Sequence, residues 1–168
     1  LRYGFVIYRD QAKSDSVQLF GLTSDWTLFA ENLMAVTAVG GGDYPENLHG
    51  GLVQAVSSMY WDPEAVHLII LLGAAPPHLN SGATVPLEET LLAAAEQNII
   101  IFTVGSDGLN ETGVEIYQQI AEVGNGRFTF VSNNPDNNQP NASAVQPITN
   151  LTDILVEIIF EVLNEEAP

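Results

Sequence analysis

Three continuous apolar runs punctuate the chain: residues 3–8 (YGFVIY), 66–72 (VHLIILL) and 99–104 (IIIFTV). Such unbroken runs, four to eight residues long, predict strands buried on both faces, the pattern of a parallel sheet covered by helices. A shorter, partly polar run at 17–22 (VQLFGL) follows a polar turn and predicts an antiparallel edge strand, and the alternating RFTFV at 127–131 predicts an outer strand. Between the strands the apolar spacing switches to that of helices. Ser24 or Asp25 can cap a helix carrying Trp26, Phe29, Leu33 and Val36, and a second helix from about Leu48 to Tyr60 turns Leu52, Val53, Val56 and Met59 to one face. Pro86 suits the first turn of a third, with Leu87, Leu91, Leu92 and Ala95 inward. A fourth near 112–123 places Val114, Tyr117, Ile120 and Ala121 inward and stops at Gly124-Asn125-Gly126. The last, about 148–164, aligns Leu151, Leu155, Ile158 and Val162, with Ile154 and Ile159 beside them.

Buried strands alternating with amphipathic helices predict an α/β fold: a doubly wound, mostly parallel sheet with helices on both faces, formed as a single domain over 1–168. Ligands of such sheets bind beyond the C-terminal ends of the strands. Three loops fall there: VGGGDYPENLHGGL at 39–52, GAAPPH at 73–78 and GSDG at 105–108. Residues 133–147, rich in Asn and Pro, predict a surface loop.

Composition narrows the chemistry. Twenty-one acidic residues against four basic ones give a formal charge of −17, which repels nucleic acid and anionic membranes and attracts cations and basic partners. There is no cysteine, hence no disulfide and no thiolate metal site, and no apolar run is long enough to predict a membrane span. Gly40-Gly41-Gly42 is a poor phosphate cradle, because it follows a helix, lacks a nearby lysine and is followed by Asp43 and Glu46. Those two carboxylates, on a loop stiffened by Pro45, can serve as oxygen ligands for Mg2+ or Ca2+; the alternative is that Glu46 and Asn47 serve as dipole partner and cap of the helix they precede.

No Gly-x-Ser-x-Gly elbow occurs, and Ser106 has no base visible in the sequence, so Ser106 and Asp107 read as turn or cap residues and the chain as a non-enzyme. His49, His67 and His78 are too scattered to predict a zinc site; His67 reads as structural, and His78 as structural or as lining the top of the sheet. Asp10 reads as a turn residue, or at most as a group behind a ligand, and Trp26 and Trp61 read as core. Asn110, Asn141 and Asn150 head glycosylation sequons, weak pointers to an extracellular or cell-surface protein.

The segments YGFVIYRD, LTSDWTLFAENLMAVTAVGGGDYPENLHGGLVQAV, YWDPEAVHLIILLGAAPPH and IIIFTVG, in that order, resemble the von Willebrand factor type A domain, in its branch with a GGGD-x-PE loop and an APPH ending. The resemblance implies a six-stranded doubly wound sheet and a metal-ion-dependent adhesion site, usually holding Mg2+, whose shell is completed by a carboxylate of the partner protein. It places Asp43 at the second-loop ligand position and Ala74 where the third-loop aspartate belongs. The Asp-x-Ser-x-Ser motif and the central first strand that carries it are missing, and the SDS at 14–16 lies in the wrong turn.

The resemblance therefore implies a non-enzymatic adhesion or protein-binding module with a degenerate metal site. Its binding surface would include Asp43, Tyr44, Glu46, Ala74, His78, Ser106 and Asp107. The alternatives are a filament subunit whose neighbour supplies the missing strand, and an accessory domain of a larger enzyme. The abrupt strand at Leu1 suggests a processed or truncated chain.

Overall fold

A computed structural model describes residues 1–10, 15–37, 43–78, 85–132 and 150–165. The chain divides into two compact units, Leu1–Pro63 with Pro77–Ala93, and Glu64–Pro76 with Ala94–Pro168. The architecture is α/β, with a two-stranded antiparallel sheet in the first unit and a three-stranded parallel sheet in the second.

In the first unit, β1 (Tyr3–Tyr8) pairs antiparallel with β2 (Val17–Thr23), as the shorter, partly polar second run predicts. The register shifts between Tyr3 and Phe5. Gly4 lies at that shift, and a Cβ there would stand 2.8 Å from the carbonyl oxygen of Phe20.

Helix α1 (Trp26–Met34) is capped by Asp25, whose carboxylate accepts the N–H of Leu28. Its rings join those of the sheet: Trp26 meets Tyr3 edge-on at 5.2 Å, Phe29 meets Phe5 at 5.7 Å, and Phe5 stacks on Phe20 at 4.4 Å. These geometries suit the quadrupoles of the rings. Trp26 is nonetheless 59% exposed and no residue of α1 is buried, so Trp26 is not the core residue its spacing predicts. The helix ends at Met34, before Val36.

Helix α2 (Leu48–Ser58) buries Leu48, Leu52 and Val56, a stripe of i, i+4 and i+8. Gly51 lies on that face, and a Cβ there would sit 3.0 Å from the Tyr8 side chain, so glycine permits the close approach of α2 to β1. Trp61 donates its indole N–H to the Ala55 carbonyl at 3.1 Å.

In the second unit, β3 (His67–Gly73), β4 (Ile99–Ser106) and β5 (Asn125–Val131) lie parallel in that order. Alternation along β4 explains why helices cover both faces. Phe102 and Val104 pack with Ile154, Ile158 and Val162 of α5 (Leu151–Glu165). On the other face, Thr103 donates its hydroxyl to the Tyr117 carbonyl of α4 (Glu111–Val123), whose Val114, Tyr117, Ile120 and Ala121 are buried as their spacing predicts.

Two helices turn differently from expectation. In α5 the buried stripe is Ile154, Ile158 and Val162, packed on Phe102 and Val104, while Leu151 and Ile159 are exposed; beside the stripe Arg127 of β5 pairs with Glu157 and Glu161. Helix α3 (Leu87–Glu96) buries Thr90, Leu91 and Ala94 and exposes Leu92 and Ala95.

Among the described residues, no helix is long and apolar enough to cross a membrane. Gly40-Gly41-Gly42, Asn141 and the Asn/Pro-rich stretch of 133–147 lie outside the described residues.

Candidate metal centre

The site begins where β1 ends. Arg9 donates its backbone N–H to Ser16 and accepts that of Asn47 through its carbonyl, at 2.8 and 2.9 Å. Its guanidinium pairs with Asp15 at 2.7 Å. These bonds draw the loop that starts at Asp43 onto the end of β1. Asn47 then caps α2, its side-chain oxygen accepting the N–H of Gly50 at 3.1 Å, while its amide nitrogen donates to Ser16. Glu46, one candidate for that capping role, instead forms a parallel backbone bridge with Pro77. The bridge brings the chain at His78 to the same place.

The result is a convergence of Asp10, Asp43 and His78. One possible ligand atom from each lies within 4.8 Å of the other two. The backbone N–H of Asp43 donates to Oδ2 of Asp10 at 3.0 Å, and Asp10 is buried, at 3% exposure. Asp43 presents its carboxylate to water, with its side chain 62% exposed, and its Oδ1 stands 3.6 Å from Nε2 of His78. That separation is too long for a hydrogen bond. Ligands about 2.1 Å from a divalent ion lie roughly 3–4 Å apart, so the spacing is compatible with both atoms bound to one ion.

Glu46 adds a third carboxylate in electrostatic reach. Its pKa is raised, first by burial and next by the negative charge of Asp10; His78 opposes the shift and Asp43 adds to it. Among the described residues, Oε2 of Glu46 and Nε2 of His78 are both buried atoms without a hydrogen-bond partner. Buried polar atoms are normally satisfied, and leaving one unmade costs about 1–3 kcal/mol. A cation beside them would relieve both the repulsion and the missing interactions, so the residues present fit a divalent ion.

This donor set is not the one the resemblance implies. Asp43 takes part, but Asp10 and His78 come from outside the expected ligand positions. Asp10, expected as a turn residue or at most a group behind a ligand, is buried and accepts the Asp43 N–H. The signal for it in the sequence was its place directly after an apolar strand, at the end where ligands bind. Tyr44 lies on the same loop as Asp43 and is half exposed.

Ala74, Ser106 and Asp107 belong to the second unit. Asp107 accepts the Ser132 hydroxyl at 2.7 Å, in keeping with a turn role. Ala74 gives its carbonyl to the neighbourhood of Gly108, whose φ of +107° is a conformation that disfavours side chains. Of the other histidines, His67 is bonded to the Gln97 carbonyl at 2.8 Å. His49 meets the Thr90 hydroxyl at 3.3 Å, and its burial lowers its pKa, with the Pro86 backbone opposing.

Asn110 and Asn150, which head two of the sequons, are exposed, and their Oδ1 atoms accept the N–H groups of Gly113 and Thr152 at the starts of α4 and α5. Compared with protein-family models and with curated proteins, the chain matches none.

Proposed function

We propose that the chain is a non-enzymatic protein-binding module of the von Willebrand factor A type, with an irregular metal site, working outside the cell or at its surface. The observation that carries this reading is the exposed carboxylate of Asp43 beside the buried Asp10 and the partly buried His78. In that arrangement an ion would be held from below and left open to a partner's oxygen. The half-exposed Tyr44 ring beside it suits a contact surface, since tyrosine offers a large apolar face with a polar tip. The parallel sheet of the second unit, covered on both faces, is compatible with the doubly wound fold, and the exposed sequons Asn110 and Asn150 agree with an extracellular setting.

Selection of displayed peptides on the immobilised chain tests the reading. Enriched peptides should bind Asp43→Asn and Tyr44→Ala at least about ten-fold more weakly, a loss of about 1.4 kcal/mol, while circular dichroism stays unchanged. Binders indifferent to both substitutions would sink it.

A filament subunit, completed by a neighbour's strand, is a second reading favoured by one observation: β3 is apolar yet stands at the edge of its sheet. Strand addition at an edge is a known mode of assembly. Sedimentation that stays monomeric at all concentrations would count against it.

A further inference from the structure

We infer that Asp10, Asp43 and His78 form a site for one first-row transition-metal ion, of the Mn2+ or Zn2+ class, in preference to Mg2+ or Ca2+.

The argument starts from the imidazole. Carboxylate oxygens accept every divalent cation, so Asp10 and Asp43 alone do not discriminate. Mg2+ and Ca2+ favour shells made wholly of oxygen. Imidazole nitrogen shifts the preference toward Mn2+, Zn2+ and their neighbours in the series. Nε2 of His78 is a buried atom with no hydrogen-bond partner among the described residues, 3.6 Å from Oδ1 of Asp43. A ring nitrogen in that position, facing an anion without bonding it, has the setting of a ligand rather than of a core histidine. The two other histidines differ: each has a ring nitrogen engaged with a hydroxyl or a carbonyl.

The carboxylates are arranged for the same end. The N–H of Asp43 orients the buried Asp10 carboxylate, as outer-layer hydrogen bonds orient metal ligands elsewhere. Asp10 and Asp43 together supply two negative charges to match a divalent ion. The exposed side of Asp43 leaves room for water to fill the remaining coordination positions. The inference does not depend on the partner reading: an ion bound without any protein partner, and a partner bound without an ion, are separately measurable.

The test uses the whole chain, stripped of metal by a chelator. Mn2+ titration followed by electron paramagnetic resonance should give one bound ion per chain. Zn2+ should displace it, and Mg2+ or Ca2+ in about hundred-fold excess should not. Pulsed measurements on the Mn2+-loaded chain should show coupling to a directly bound 14N nucleus. His78→Ala should abolish that coupling, and Asp43→Asn should weaken binding at least ten-fold.

A readout without substitution guards against misfolded variants. On adding Zn2+, one histidine ring in a 15N-detected spectrum should adopt the metal-bound pattern and the other two should stay as they were. Absence of nitrogen coupling, its survival in a folded His78→Ala chain, several weak ions in place of one, or displacement by Mg2+ or Ca2+ would each overturn the inference.

Discussion

The backbone N–H of Asp43 points into the carboxylate of Asp10, thirty-three residues earlier in the chain, at 3.0 Å. This bond fastens the loop to the end of β1 and aims a buried charge at an exposed one. Asp10→Ala removes the acceptor and leaves the Asp43 N–H without that partner, a loss of about 1–3 kcal/mol. Asp10→Asn keeps a side-chain oxygen and should cost less. Urea unfolding of the metal-free chain checks the order: wild type, then Asn, then Ala.

Glu46 is held close to like charges, so neutralising it should stabilise the metal-free fold. Its folded pKa lies above the ordinary 4.5, which means that its favourable contribution is complete below about pH 4.5 and is lost as pH rises through the folded value. At neutral pH the ionised group is a burden. Glu46→Gln should therefore raise the melting temperature at pH 7, with the advantage shrinking toward pH 4. An advantage that grew on acidification would contradict the burial and repulsion described for this carboxylate.

His49 gives the opposite pH signature. Burial holds its pKa below 6.5, so the neutral ring is the folded form. Stability from this group is present above pH 6.5 and falls away as pH drops through the folded pKa, because the unfolded chain takes up the proton first. Melting curves of wild type and His49→Gln between pH 7.5 and 5 should diverge at the neutral end and approach each other at the acidic end.

How much of this was legible in the sequence depends on what each signal measures. The apolar runs at 3–8, 66–72 and 99–104 are strands β1, β3 and β4, but the burial on both faces that such runs predict holds only for β4: β1 pairs antiparallel and none of its residues is buried, and β3 leaves Leu72 exposed. Helix rotation was legible in α4 and not in α5. The α4 stripe has polar neighbours on either side, whereas α5 is apolar around most of its girth, and the face it buries is the one that packs on Phe102 and Val104, with Arg127 pairing Glu157 and Glu161 beside it. Spacing along a helix cannot register contacts from another element.

The candidate site was half legible. Asp43, Glu46 and Tyr44 share one short loop and could be found by reading along the chain. Asp10 and His78 join the cluster where the Asn47–Arg9 hydrogen bond and the Glu46–Pro77 bridge bring distant segments together, contacts that a linear pattern does not encode. Trp26 misled for a related reason: it reads as a core residue, but α1, packed beside the two-stranded sheet, has no buried residue among those described.

A backbone prediction follows from β5. Gly126 sits where the register between β4 and β5 shifts, and a Cβ built there runs into the carbonyl oxygen of Ile101. The obstacle is main chain, which cannot swing aside as a side chain would. Gly126→Ala should cost about 1–3 kcal/mol in denaturant unfolding, well beyond an alanine introduced at the unobstructed Gly21.

The two caps formed by Asn110 and Asn150 have a bearing on sugar attachment. A glycan is carried on the amide nitrogen, while the helix N–H groups are met by the amide oxygen. Modification and capping thus draw on different atoms of one side chain, and α4 and α5 could each begin beneath a carbohydrate without surrendering the bond that starts them.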